Sequence, residues 1–287
     1  MTVVTARYPV DPGHVVSTFV GRDVPLALHS WGPPDHVRPT VFYVHGLQSH
    51  AGWLSETGTE LARRGVGLLS ADRRGSGRSK GPRGDVPDVD TLLDDYAQVL
   101  AHWAQEVRGR LTVLGQSFGA SVLAALVARE QVPAAARVVL CAPALGQQRA
   151  RNGPDALQQA RSNRDTLPTP VRLKDEDYTG EPGYLRMMAN DLDMVRAVTG
   201  RFRAAMVGVE DAYIEAGAPP WADREVFVAV PEDDTIIDTV AALDLVRVIA
   251  PQARVHRFAS HHHYLEFSPA RQAYWDWLAN VARGELP

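Results

Sequence analysis

The stretch from residue 111 to residue 129 constrains this chain more than any other. Leu111-Thr112-Val113-Leu114 reads as a short buried strand. It runs straight into Gly115-Gln116-Ser117-Phe118-Gly119, and Ala120-Ser121-Val122-Leu123-Ala124-Ala125-Leu126 follows as a helix rich in small residues. A serine between a buried strand and a helix sits on a strained turn with its Oγ exposed, and flanking glycines let neighbouring backbones approach. Gly77-Arg78-Ser79-Lys80-Gly81 fits the same G-x-S-x-G pattern. It lies in a turn-rich loop with no helix after it. Context therefore makes Ser117 the candidate nucleophile and Ser79 a loop serine.

The surroundings fit such a turn. Strand-like runs at 24–31, 40–44, 67–71, 110–114 and 137–141 alternate with helical patterns at 54–64, 90–107 and 117–129. This alternation predicts a mostly parallel sheet with helices on both faces, an α/β class. The pattern breaks from 147 to about 200, where Pro154, Pro168, Pro170 and Pro182 punctuate a polar stretch. It resumes at 225–230, 236–249, 254–258 and 269–281. The expected organisation is one α/β core, residues 1–146 and 201–287, interrupted by a cap at 147–200.

An activated serine requires partners. Two backbone N–H groups must face the developing oxyanion. Phe118, directly after Ser117 at a helix N-terminus, supplies one. Leu47, in the His45-Gly46-Leu47 turn after strand 40–44, supplies the other. In an α/β arrangement of this kind the acid follows the nucleophile and the histidine comes last. Glu232, Asp233, Asp234 and Asp238 follow the strand at 225–230, and Asp234 is favoured as the end of the tight turn before Ile236-Ile237. Three candidates for the base, His261, His262 and His263, follow the last strand. A metal site there is disfavoured. Adjacent residues of an extended chain point to different faces, and no matching Cys or acidic ligand set accompanies them. No metal and no cofactor are expected.

Together these residues resemble the α/β-hydrolase superfamily, and within it the monoglyceride-lipase-like and serine-aminopeptidase-like branch. The likeness rests on His45-Gly46-Leu47-Gln48-Ser49-His50, on Asp72-Arg73-Arg74-Gly75-Ser76-Gly77-Arg78-Ser79, on the Ser117 turn, on the Asp234 turn and on the His261 segment. It covers about residues 40–146 and 225–270. The resemblance implies an α/β-hydrolase fold with an inserted cap, and a Ser-His-Asp triad working through an acyl-enzyme. It also favours one histidine: in this branch the base is followed five residues later by a Glu that begins or caps the next helix, and His261 to Glu266 has that spacing, with His262 the runner-up if the strand ends one residue away. The Asp72–Ser79 loop matches a signature that is structural in the family. Relatives often carry Gly where this chain has Pro231, and His and Met where it has Gln116 and Phe118.

Composition excludes other classes. The net charge of −4 gives no electrostatic support for a nucleic-acid partner. No run of about 18 apolar residues exists, so no integral membrane association is expected. The first ten residues lack the apolar core of a signal peptide, and the lone Cys141 forms no internal disulfide. The expectation is a cytoplasmic serine hydrolase acting on a small-molecule acyl substrate, an ester before a thioester or lactone. A homodimer is compatible with the sequence. Two alternatives stand beside it, an acyltransferase or cyclase using the same triad and a ligand-binding sensor with little turnover. Met187 and Met188 in the cap are candidate substrate contacts.

Overall fold

The computed structural model describes residues 13–21, 23–32 and 38–286. The stretch 1–10, read above for a signal peptide, lies outside them. Among the described residues ten strands run in chain order: β1 (Val15–Val20), β2 (Pro25–Trp31), β3 (Thr40–Val44), β4 (Gly67–Ala71), β5 (Leu111–Gln116), β6 (Arg137–Cys141), β7 (Pro168–Pro170), β8 (Ala197–Thr199), β9 (Val226–Pro231) and β10 (Arg254–Phe258). The helices are α1 (Ser55–Arg63), α2 (Val89–Glu106), α3 (Phe118–Ala128), α4 (Gln147–Arg151), α5 (Pro154–Ser162), α6 (Asp175–Tyr178), α7 (Pro182–Ala189), α8 (Gly200–Ala216), α9 (Thr239–Ile249) and α10 (Arg271–Arg283).

Eight strands form one sheet in the order β1-β2-β4-β3-β5-β6-β9-β10. The β1–β2 and β2–β4 pairs are antiparallel, and every other pair is parallel. The central strands are buried on both sides, so their residues divide by period two between two cores. Phe42, Val44, Val113, Val138, Leu140, Val226 and Val228 face one core with α2, α3 and α8. Val41, Tyr43, Leu114, Val139, Cys141, Phe227 and Ala229 face the other with α1 and α10. The α/β class and the alternation read from the sequence are both found here.

The register aligns the strands' C-terminal ends. Val44 pairs with Gly115, Gly115 with Leu140, and Leu140 with Val228. The chain leaves β3, β5, β9 and β10 at one edge, where sites in open parallel sheets collect.

Residues 142–225 bridge the adjacent parallel strands β6 and β9. Their first part carries short helices and the antiparallel β7–β8 ladder, which the sequence reading did not anticipate. Phe202, Ala205, Val209 and Tyr213 of α8 are buried in the core beside the sheet, so α8 belongs to the helical layer. A third apolar cluster, Trp53, Tyr178, Met188, Met194, Tyr264 and Phe267, fastens the segment around α6 and α7 to the loops above the sheet. Among the described residues no helix is long and apolar enough to cross a membrane.

Candidate active site

Ser117 joins β5 to α3 with φ 56° and ψ −122°, a left-handed backbone that a non-glycine residue holds only when its surroundings compel it. The glycines on either side provide that constraint. A Cβ on Gly119 would come within 2.0 Å of the Val44 carbonyl oxygen, and one on Gly115 within 2.4 Å of the Gly119 carbonyl oxygen. The turn is tied to β6 as Ser117 N donates to Cys141 O at 2.9 Å. Ser117 stays half-buried and lines a cavity of about 70 Å3 with Leu47, Phe118, Met206, Ile236 and Ile237. A larger hollow of about 480 Å3, lined by Val132, Pro133, Pro219, Pro220 and Arg224, lies away from these groups, where the chain enters β6.

Leu47 and Phe118 therefore stand beside Ser117. Phe118 is the first residue of α3, where backbone N–H groups lack helical acceptors. The Leu47 turn is aimed by a residue that the sequence reading left in a structural loop. Arg73, buried, donates from Nη1 to Gly46 O at 3.0 Å and from Nη2 to Leu47 O at 2.6 Å. In a trans peptide the carbonyl and the next N–H point opposite ways. Holding Gly46 O against the guanidinium turns the Leu47 N–H away from it. His45 assists: Nδ1–H donates to Gly46 O at 2.9 Å and Nε2 accepts from Arg73 N at 2.9 Å. Burial, reinforced by Arg73, lowers the His45 pKa to about 3, so the ring is neutral and keeps this tautomer.

The Asp234 side chain is fully buried in the turn after β9. Its Oδ1 accepts from the N–H groups of Ile236 and Ile237 at 2.8 and 2.9 Å. The cap of α9 is a different residue, Asp238, whose Oδ1 accepts from Ala241 N at 3.0 Å. Burial pushes the Asp234 carboxyl up, but the His263 ring and these two amides hold it below the usual carboxylate range. An ionised carboxylate only accepts. Nδ1 of His263, 2.8 Å from Oδ2, must therefore carry the proton.

The structure thus pairs His263, not His261, with Asp234. His261 is 76% exposed, and its nearest carboxylate is the equally exposed Asp233 at 3.5 Å. His262 sits in a bend held by its N–H to Ser260 Oγ at 3.2 Å, with its ring over Gly180. His263 is drawn inward by the residues that come after it in the chain. Tyr264 and Phe267 are buried in the third apolar cluster, and Tyr264 N donates to Tyr178 O at 3.1 Å. The five-residue spacing to Glu266 misled because that carboxyl opens no long helix. Glu266 is buried on the other side, where it accepts from Tyr43 OH at 2.6 Å.

Met187 and Met188 do not line the cavity. Met188 is fully buried in the third cluster and Met187 packs against it, so helix packing takes both side chains. The methionine at the cavity wall is Met206, on α8. Ser79 is structural, as its context indicated: its Oγ donates to Asp72 O at 2.6 Å and accepts from Ala27 N at 2.9 Å.

The family model described as serine aminopeptidase, S33, matches residues 35–269. The chain belongs to this family of α/β-hydrolases. Among curated relatives, the monoacylglycerol lipase of Mycolicibacterium smegmatis is 30% identical over 108 residues, covering 37% of this chain and 38% of the lipase. The first curated relatives are matched over only 10% to 38% of their own length. A soluble variant of the Saccharomyces cerevisiae monoglyceride lipase, solved with a substrate analogue, superposes with a TM-score of 0.81 at 14% identity, over 98% of this chain and all of that one. The monoacylglycerol lipase of Paleococcus ferrophilus gives 0.75 at 16% identity, over 91% and 99%. At such identities the likeness is one of fold. This α/β-hydrolase has the mostly parallel sheet and flanking helices that its sequence resemblance implied.

Proposed function

We propose that this α/β-hydrolase cleaves carboxylic esters with a short acyl group through an acyl-enzyme on Ser117. The observation that carries the reading is the buried Asp234–His263 pair at 2.8 Å beside the strained Ser117 turn. Ser117 Oγ attacks the substrate carbonyl while its proton passes to Nε2 of His263, and the carbonyl electrons move to oxygen. The backbone N–H groups of Leu47 and Phe118 receive that charge. When the intermediate collapses, Nε2–H returns the proton to the departing alkoxide. Water then repeats the sequence and frees the acid. Asp234 keeps the ring in the tautomer that leaves Nε2 free to accept, and stabilises the imidazolium as it forms. An ester suits this machinery better than an amide, whose amine leaves only if fully protonated.

The acyl length is set by the space available. A volume of about 70 Å3 is about five times the roughly 10–15 Å3 that a cavity needs to hold one water. A space of this size favours a two- to four-carbon acyl group over a long chain. Residues 147–200 act here as a cap that limits access, because α4 and the loops after β9 wall the cavity through Gln147, Arg151 and Ile236. The lipase names of the relatives support ester chemistry without requiring a glycerolipid. A panel of p-nitrophenyl esters tests the reading. The expected result is a kcat/KM that peaks at acetate to butyrate and falls at least about tenfold by octanoate, with fluorophosphonate labelling that Ser117→Ala removes. Labelling that survives in Ser117→Ala would overturn it.

A further inference from the structure

The hydrogen bond made by Nε2 of His263 does not go to Ser117. Among the described residues, the polar contact of that nitrogen is Nε2 of Gln116, at 3.2 Å. Because Nδ1 carries the ring proton, Nε2 of the neutral ring offers only a lone pair. The carboxamide must therefore present its N–H2 to the ring. Its Oε1 then points away from the ring, and that buried atom has no partner among the described residues. Gln116 is itself buried, the last residue of β5 and the immediate neighbour of Ser117. The space for its carboxamide is kept by Gly46, where a Cβ would come within 2.6 Å of Oε1. The feature is therefore built from two strand ends.

We infer that Gln116 is a positioning residue that occupies the lone pair of His263 in the free enzyme and yields it to Ser117 only when an acyl substrate is bound. The inference rests on the assignment of His263 as the base. A hydrogen bond donated to Nε2 must break before that lone pair can take a proton. Once the ring is protonated, Nε2–H faces an amide nitrogen that cannot accept, so the imidazolium is directed to the leaving-group oxygen instead. The amide thus restrains the nucleophile at rest and favours proton return during turnover. The other titratable groups around this ring are Asp234, Tyr178 on α6, Tyr264 and Glu266 on the segment after it, and Cys141 behind Glu266. None of them hydrogen-bonds to Nε2.

The test compares wild type with Gln116→Met, which keeps the bulk and removes the donor, and Gln116→His, which restores an N–H donor. The acidic limb of the kcat/KM profile should move up in Gln116→Met by roughly half a pH unit to one unit, the worth of one neutral hydrogen bond. Above that limb, fluorophosphonate labelling should be at least about threefold faster than in wild type. Gln116→His should return both towards wild type. If Gln116→Met fails to fold, the wild-type enzyme still decides. The 15N resonance of His263 Nε2 should show an acceptor nitrogen whose amide partner is assigned to Gln116, and an Nε2 bonded only to Ser117 would overturn the inference. An unmoved limb and unchanged labelling in folded Gln116→Met would overturn it too, while leaving the base assignment intact. Labelling of folded His263→Ala at the wild-type rate would sink both.

Discussion

Nδ1 of His263 lies 2.8 Å from Oδ2 and 3.0 Å from Oδ1 of Asp234, with both side chains fully buried. Two histidines immediately before it have no comparable partner: one faces solvent and the other packs over a glycine. Three single substitutions should separate them. His263→Ala should lower kcat by about three orders of magnitude or more, the cost of losing a member of a group that acts as a unit. His261→Ala should stay within about twofold of wild type. His262→Ala should change melting temperature more than kcat. Esterase kinetics with thermal melts for all three variants provide the check, and a crippled His261→Ala with active His263→Ala would refute the pairing.

A second relationship links the segment above the sheet to the Leu47 turn. Oδ2 of Asp191 accepts from His50 Nε2 at 2.9 Å and from Trp53 Nε1 at 2.6 Å, while Val195 N donates to Gln48 O at 2.9 Å and Tyr178 OH to Gln48 Oε1 at 2.8 Å. Burial pushes the Asp191 carboxyl up, but its hydrogen bonds to His50 and Trp53 prevail and bring it down to about 2. An unfolded aspartate titrates near 3.9. A carboxyl depressed in the fold stabilises above the unfolded value, and the contribution disappears as pH falls from about 4 to about 2. Asp191→Asn should therefore melt below wild type at pH 6, and the gap should narrow by pH 3. Its kcat should fall by about threefold to tenfold at pH 7 with little change in KM, since the turn that carries the Leu47 N–H loses its anchor. A melting gap that does not change between pH 6 and pH 3 would show that ionisation of Asp191 is irrelevant.

Much of this was legible in the sequence because local chemistry dictates it. Period-two burial, glycines flanking Ser117 and an acid after the last-but-one central strand are all short-range signals. The choice among three adjacent histidines was not short-range. It depends on Tyr264 and Phe267 burying themselves against Trp53 and Tyr178, residues more than 80 positions earlier in the chain. The Arg73 clamp escaped notice for the same reason, since it is defined by carbonyls 26 and 27 residues away. Helix α8 falls in the stretch assigned to the core from residue 201 onwards, but its burial through Phe202, Ala205, Val209 and Tyr213 depends on partners beside the sheet that no local pattern names.

Ser79 provides a control for the proposed nucleophile. Its hydroxyl bridges Asp72 O and Ala27 N, tying the loop to β2. Ser79→Ala should cost about 1–3 kcal/mol of stability by leaving buried backbone groups unpaired, with fluorophosphonate labelling unchanged in the folded protein. Ser117→Ala should do the reverse, losing labelling while melting close to wild type. Denaturant melts alongside gel-based labelling separate the two serines.

The two methionine sites should respond oppositely to the same substitution. Met188 is fully buried among Trp53, Tyr178, Met194, Tyr264 and Phe267, so Met188→Ala leaves a cavity and should cost about 2–5 kcal/mol. It should leave the order of preference among ester chain lengths unchanged. Met206 is only partly buried and forms part of the wall beside Ser117, so its truncation opens the space proposed for the acyl group. Met206→Ala should cost less stability and move the optimum towards longer chains, with hexanoate or octanoate gaining at least about fivefold in kcat/KM relative to acetate. The measurement is the p-nitrophenyl ester series run on both variants at matched folded fractions. A longer optimum in Met188→Ala with none in Met206→Ala would place the acyl group on the α7 side of Ser117 and move the substrate out of the cavity assigned to it.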